Sequence, residues 1–400
     1  MHYDLIIVGG GLVGAGLAVA LQDTGWQIAL VDASLASQDD PRLFALNSGN
    51  CQFLTNLKFW PQLESYATPI HRVHVSSQGK FGAVNLDRND LHLSSLGHVI
   101  PAKYIEAVMN ERLSNSSYVT VYRPAKLETL QQENNIVRLH LQKENEKITI
   151  TAPIVIGADG THSTVRAQLN IPVDHFDYQQ SAIVTITKLN RAHHFTAYER
   201  FNSQGAIAML PLTDNQCATI WSADNEAISA LMALTDEAFL QKLQQNFGYR
   251  LGRLQAIHQR HCFPLQMQRA KTMVSGNVFL VGNAAHTLHP IAAQGFNLAL
   301  YEVAMLVEAI LKKKVFSAID LQEINEKIQK QQAVSIGMSH RLSQVFSSAS
   351  PLTQFALQAG MLGLDLASPL KKRLLNRIMG RSGSVPHLLL GAMEYEKIIS

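Results

Sequence analysis

Three glycines, Gly9, Gly11 and Gly14, stand in the spacing Gly-x-Gly-x-x-Gly directly after an apolar run, Leu5–Val8, and at the opening of a second, Leu12–Leu21. That pattern is built to handle a diphosphate. The first glycine permits a tight turn, the second lets backbone approach a pyrophosphate, and the third lets helix and strand pack closely. The opening of the helix adds free N–H groups and partial positive charge. Asp32 closes the next apolar run, Ile28–Val31, at the distance where a carboxylate meets ribose hydroxyls. A fixed negative charge there disfavours a 2′-phosphate, so the pocket suits FAD or NAD better than NADP.

Two further motifs decide between those cofactors. One is Gly157-Ala158-Asp159-Gly160-Thr161-His162-Ser163-Thr164-Val165-Arg166; the other is Leu280-Val281-Gly282-Asn283-Ala284-Ala285-His286, continued by His289-Pro290-Ile291-Ala292-Ala293-Gln294-Gly295-Phe296-Asn297. With the N-terminal glycines, these resemble the three fingerprints of the class A flavoprotein monooxygenases, the p-hydroxybenzoate hydroxylase-like family, in their order and spacing. The resemblance runs through nearly the whole chain. It implies FAD as cofactor, NAD(P)H as electron donor and O₂ as the source of an oxygen atom placed on an aromatic ring. It also implies a cofactor site made of Gly9, Gly11, Gly14, Asp32, Arg42, Asp159, Gly282, Asn283, Pro290, Gln294, Gly295 and Asn297. Asn283, a short polar residue ending a strand, can hydrogen-bond ribityl hydroxyls, while Ala284 and Ala285 leave room for backbone to approach. A helix opening at Gln294-Gly295 would aim its positive end at the flavin pyrimidine edge. The resemblance places Pro290 beside both the isoalloxazine and the reacting ring.

The third motif, together with Glu199-Arg200-Phe201, Ala208-Met209-Leu210-Pro211, Trp221 and Phe247-Gly248-Tyr249-Arg250-Leu251-Gly252, is similar to the ubiquinone-biosynthesis branch, closest to the 2-polyprenyl-6-methoxyphenol hydroxylases. That implies a lipid-tailed phenol as substrate, a polyprenylated methoxyphenol. Met209, Pro211, Trp221 and Pro290 are the expected substrate contacts, although a β-rich core uses Met and Trp just as readily. No residue marks itself as a general base. Rival readings are a sister hydroxylase acting at another ring carbon, a flavin dehydrogenase or prenyl reductase, and a non-catalytic flavin-holding scaffold. His286 and His289 sit three apart on a loop without a third ligand, so no metal is expected.

The elements that must position these residues are α/β in class. A strand, turn, helix and strand at the N-terminus open a Rossmann-like FAD-binding domain of the p-hydroxybenzoate hydroxylase-like fold. The runs Val119–Tyr122, Ile136–Leu141, Ile148–Ile150 and Ile154–Gly157 read as strands, with Gln131–Asn135 as a turn. Ile183–Ile186, Ala206–Leu210 and Cys217–Trp221 read as a β-rich insertion, and Asn297–Leu311 as a long apolar helix. The expected division is a discontinuous FAD domain over 1–75, 98–178 and 262–330, a β-sheet substrate domain over 76–97 and 179–261, and C-terminal helices over 331–400.

Composition sets the remaining bounds. Of 400 residues, 46% are hydrophobic and 16% charged, enough for a buried core. A net charge of +3 argues against nucleic acid as a partner. Cys51, Cys217 and Cys262 are scattered and fit a reducing, cytoplasmic setting. No apolar stretch is long enough to span a bilayer. Leu352–Leu366 is apolar on nearly every face, and Lys371, Lys372, Arg373, Arg377 and Arg381 follow with no acidic residue between Asp365 and Glu394. This C-terminal region is expected to meet an anionic surface, on the inner face of the cytoplasmic membrane, or a quinone-biosynthesis protein complex.

Overall fold

The computed structural model describes residues 1–35, 40–202, 204–287, 294–313, 316–330, 351–381 and 385–390. Its first sheet has six strands in the order Val274–Ser275, Val278–Leu280, Ile154–Gly157, Leu5–Val8, Ile28–Val31 and Val119–Tyr122. The last five run parallel, and Val274–Ser275 is an antiparallel edge. Leu5–Val8, Ile28–Val31 and Ile154–Gly157 are buried at every residue. Strands covered on both faces, here by helices and by the antiparallel strands of residues 126–152, need apolar residues throughout, which is why they read as unbroken apolar runs. Helix Leu12–Leu21 lies against helices Ala102–Ser114 and Gln294–Leu311. Its small residues allow the approach: a Cβ on Gly16 would meet the Met109 side chain at 3.3 Å.

A meander of Lys126–Glu133, Ile136–Lys143 and Glu146–Ala152 follows. The expected turn over Gln131–Asn135 shrinks to two residues, Asn134 and Asn135, at φ of 47° and 64°. Two successive left-handed residues match the twist of a tight hairpin, and asparagine tolerates that conformation. Gln131 and Gln132 join the ladder, where both are exposed to water, so polar side chains are tolerated there.

The second large sheet is antiparallel except where Thr196–Phe201 runs beside Arg72–Ser77. Its order is His286–Thr287, His261–Ala270, Val173–Leu189, Gln216–Asp224, Ala206–Leu212, Thr196–Phe201, Arg72–Ser77 and Ala83–Asp87, with Leu254–Ile257 also paired to Val173–Leu189. It reaches past the boundaries expected from sequence. Residues 72–75, 173–178 and 262–270, assigned there to the FAD domain, are strands of this sheet. The cause is Val173–Leu189, a 17-residue strand whose exposed polar first half pairs with His261–Ala270 without the apolar alternation that marks a strand in sequence.

One face of this sheet packs under helices Asn225–Met232 and Asp236–Phe247, burying Ile183, Ile207, Met209, Cys217 and Trp221 with Phe239 and Phe247. The other face faces the small sheet of Leu43–Asn47, Gly97–Pro101 and Thr68–Ile70, where Leu43 and Ala45 share a cluster with Ile186, Leu210 and Ala218.

The C-terminal helices Pro351–Leu366 and Ser368–Ile378 close the edge at Ala83–Asp87. Met361, Leu375 and Met379 enter the core there, while Phe355, Leu362 and Leu366 stay exposed. Lys371, expected among the surface charges, turns inward. It donates to the Asn85 carbonyl at 3.1 Å and lies 3.7 Å from both Asp90 and Asp365. Leu388 and Leu389 return to the first core, where Glu308 accepts from the Leu388 N–H at 3.1 Å.

Leu375 is fully buried at this closure. Leu375→Ala is expected to cost about 3 kcal/mol of stability, measured by denaturant unfolding, and to make the C-terminal helices cleavable in limited proteolysis.

Candidate cofactor site

In the parallel sheet, residues that follow strand ends collect along one edge, the edge where ligands of such sheets bind. Gly9, Asp32, Arg123, Ala158 and Val281 each directly follow one of the five parallel strands. Gly9 has φ of +109°, and a Cβ on it would stand 2.3 Å from the Ala158 carbonyl oxygen and 2.6 Å from the Asp159 nitrogen. The first and second motifs therefore meet backbone to backbone. Gly14 is equally constrained, because its Cβ would fall 1.9 Å from the Gly9 carbonyl oxygen. Gly11 differs: nothing lies within 4 Å of a Cβ there. It borders a groove shared with Asp32, Glu106, Met109, Asn110 and Arg123.

The third motif closes on the same point. Val281 donates to the Gly157 carbonyl at 2.9 Å, and a Cβ on Gly282, at φ of +57°, would touch Val13 at 3.2 Å. Arg166, the last residue quoted in the second motif, is buried and donates to the carbonyls of Ala284 at 2.8 Å and Thr161 at 2.7 Å. Glu302, wholly buried, accepts from the Gly282 N–H at 2.9 Å and pairs through its other oxygen with Nε2 of His286. His286 is thus engaged by a carboxylate. Asn283, between these anchors, is exposed.

Asp159 accepts from the Val165 N–H at 3.0 Å through one oxygen, while the other is buried without a partner among the described residues. Asp32 carries an ion pair that the sequence did not signal. Arg123 sits 2.9 Å away and also donates to the Gly10 carbonyl at 2.8 Å and to Asn110 at 2.9 Å. Arg123 shares the Asp32 charge and holds its carboxylate in one orientation. Arg123 was legible only through topology, as the residue after the strand beside Ile28–Val31.

Arg42 chelates Asp40, lies 3.8 Å from Glu106, and sits over the Phe44 ring, which packs against Phe296 at 4.4 Å. Burial would raise the Asp40 pKa, but the hydrogen bonds and charge of Arg42 hold it below the ordinary value. Glu106 goes the other way: burial and the neighbouring Asp40 charge push it up to about 6. Asn297 is engaged within the fold. Its amide donates to the Ala45 carbonyl at 2.8 Å and accepts from the Asn47 N–H at 2.9 Å and from Asn50 at 2.7 Å, tying helix Gln294–Leu311 to strand Leu43–Asn47. A Cβ on Gly295 would meet nothing within 4 Å. Gln294 opens the helix, and Pro290, with His289, lies outside the described residues.

Of the expected substrate contacts, Met209 and Trp221 are in the core beneath Phe239 and Phe247, on the sheet face turned from Leu43 and Ala45. Pro211 is buried opposite Cys217 of that same core. Strand alternation decides this: odd-numbered residues of Ala206–Leu212 face the helices, and the even-numbered Ala208 and Leu210 face the other way.

The groove fits an FAD. It joins a bare Gly11 backbone at a helix N-terminus to an oriented carboxylate, and at the same sheet edge a buried Asp159 oxygen has no partner among the described residues. A family model described as "FAD binding domain" matches residues 2–313. The chain belongs to that family. It is 28% identical over 387 residues to "Ubiquinone hydroxylase UbiL" of Rhodospirillum rubrum, covering 94% of this chain and 89% of that protein. It is 25% identical over 393 residues to "3-demethoxyubiquinol 3-hydroxylase" of Escherichia coli, covering 94% and 98%. In structure it resembles p-nitrophenol 4-monooxygenase PnpA from Pseudomonas putida DLL-E4, with a TM-score of 0.80 at 16% identity over 96% of this chain and all of that one. The fold is that of the p-hydroxybenzoate hydroxylase-like flavoproteins.

Two variants separate the roles of the glycines. Gly11→Glu is expected to fold normally and yield protein without flavin absorbance. Gly14→Ala is expected to lose about 2–3 kcal/mol of stability through overpacking, read by thermal unfolding. Glu106 gives a pH dependence. A nearby pyrophosphate raises its pKa further, so the proton is held more tightly in the complex, and FAD binds best below pH 6, with affinity falling as pH rises above that value. Glu106→Gln is expected to flatten that profile and to bind FAD about tenfold more tightly at pH 8, checked by flavin fluorescence titration.

Proposed function

We propose that this chain is an FAD-dependent aromatic-ring monooxygenase that hydroxylates a polyprenylated methoxyphenol in ubiquinone biosynthesis, with O₂ and NAD(P)H as co-substrates. The observation that carries the reading is the packing of three separated backbone turns, at Gly9, Ala158 and Gly282, at one sheet edge, beside the groove that Gly11 and Asp32 line. The family match and the hydroxylase names of two full-length relatives support it.

When bound, FAD supplies the acceptor for hydride and the ring that activates O₂. The protein's part is binding, orientation and exclusion of water. Gly9, Gly11 and Gly14 with the helix N-terminus would hold the pyrophosphate, and Asp32, steadied by Arg123, the ribose. Asp159, Gly282 and Asn283 would meet the middle of the cofactor. Gln294 and Gly295 would offer helix N–H groups to the flavin, with Asn297 and the Arg42–Phe44–Phe296 contacts fixing that helix in place. For the substrate we assign the other face of the large sheet in place of Met209, Pro211 and Trp221. There Val184, Ile220 and Ala208 lie side by side in register, half-buried and apolar, continuous with Ile186 and Leu210. Such a wall suits a lipid-tailed ring and keeps water from the reaction.

Among the described residues, no helix is long and apolar enough to cross a membrane. The C-terminal helices carry exposed Phe355, Leu362, Leu366 and Leu370 beside exposed Lys372, Arg373 and Arg377. These supply hydrocarbon contact and positive charge for peripheral docking on the anionic cytoplasmic face of a membrane, where the substrate resides.

Holoprotein supplied with a prenylated methoxyphenol, NAD(P)H and ¹⁸O₂ is expected to place one labelled oxygen atom on the ring, seen by mass spectrometry. Nicotinamide oxidation with an unlabelled product would instead mark a dehydrogenase or reductase.

A further inference from the structure

Two segments that carry the branch resemblance, around Arg200 and Arg250, meet on the helix-covered side of the large sheet. Gly248 ends helix Asp236–Phe247 at φ of +86°, and its Cβ position lies 3.9 Å from the Arg200 guanidinium. That left-handed turn brings Arg250 beside Arg200. The two arginines border an open cavity of about 500 Å³ together with Ser76, Ser77, Lys80 and Leu362. Among the described residues, neither guanidinium has a carboxylate partner. Asp365, the acid on the wall, is already engaged by Lys371 and by the Asn85 N–H at 2.8 Å. Burial, then the charge of Arg250, lowers the Arg200 pKa from its ordinary value, so the charges are uncompensated.

Unsatisfied polar atoms gather at the same place. Arg200 Nε and Ser77 Oγ are buried without partners among the described residues, as are His74 Nε2 behind them and the side-chain amide of Gln358 on the adjoining helix. Buried polar atoms left bare are costly, and two of these, the Arg200 Nε–H and the Ser77 hydroxyl, are donors on the cavity wall that suit a ligand rich in acceptor oxygens. Paired guanidiniums match phosphate oxygens in charge and geometry. Beside the cavity runs an exposed apolar stripe. Phe81 and Phe355 have ring centroids 6.1 Å apart, and Leu362, itself on the cavity wall, continues to Leu366, 77% exposed, and Leu370, 54% exposed.

We propose that this cavity seats the phosphate of an anionic phospholipid, with Arg200 and Arg250 on the headgroup and the Phe355–Leu370 stripe among the acyl chains. The assignment rests on the peripheral-membrane part of the function proposed above and gives it a defined headgroup site. An acidic peptide would satisfy the charges but not an apolar stripe sharing Leu362 with the anion pocket.

The test is sedimentation of holoprotein with vesicles of phosphatidylglycerol in phosphatidylcholine, against phosphatidylcholine alone. The parent is expected to bind the anionic vesicles. Arg200→Gln/Arg250→Gln is expected to bind about 30-fold more weakly, roughly fivefold for each charge, with flavin content and melting temperature unchanged. Arg250→Gln alone, on an exposed side chain, provides the same reading should the double variant fold poorly. If the arginine variants bind as the parent does while Lys372→Gln/Arg373→Gln/Arg377→Gln does not, the headgroup site is wrong and the membrane reading stands. If the parent ignores vesicles yet binds inorganic phosphate in an Arg250-dependent way by calorimetry, the lipid assignment and the membrane reading both fail. Binding of neither overturns the site altogether.

Discussion

Everything in the cofactor half depends on backbone meeting backbone without side chains between. Where Gly9 turns against Ala158 and Asp159, a single methyl group would occupy the space of a carbonyl oxygen. The same exclusion holds Gly14 against the Gly9 carbonyl. Because these contacts are steric, they tolerate no gradual substitution, and they fix the sheet edge on which Asp32, Arg123, Asp159 and Gly282 are arranged. The third motif adds a polar lock. Arg166 is buried against two carbonyl oxygens, and Glu302 ties the Gly282 N–H to His286. A buried charge without hydrogen bonds is expensive, so these residues hold a loop in one conformation and leave little freedom to adjust it.

Much of this half is legible in the amino-acid sequence. Leu5–Val8, Leu12–Leu21, Ile28–Val31 and Ile154–Gly157 run as the apolar pattern indicates, because strands buried on both faces have no alternation to obscure them. The glycines carry their own geometry. What escapes a sequence reading are the partners supplied by distant chain: Arg123 beside Asp32, Glu106 in the groove, and the amide of Asn297 spent on Ala45, Asn47 and Asn50. Such pairings depend on which strands become neighbours, and local sequence does not record that.

The substrate half is less legible for a related reason. Both faces of the large sheet are apolar, one under helices and one toward the small sheet, so hydrophobicity alone does not say which face meets a ligand. Met209 and Trp221 look like ligand contacts because large, polarizable side chains suit both tasks. Register sets Trp221 opposite Ile183 and Met209 opposite the buried Thr219, which puts both in the core. The half-buried Ala208, Val184 and Ile220 do not stand out in sequence because they are small or ordinary.

The strand Val173–Leu189 belongs to both halves of the ladder, paired with His261–Ala270 from Val173 to Val184 and with Gln216–Asp224 from Gln180 to Lys188. Its pairing slips between Asp177 and Gln180, where Gln179 adopts φ of +54°. An irregularity of this kind bends a strand locally, and a second one, between Lys188 and Leu189, lies near the strand's far end. The apolar wall of Val184 and Ile186 and the exposed half that pairs with His261–Ala270 therefore lie on either side of the bend at Gln179, so the direction of the wall is set by a residue that is not part of it.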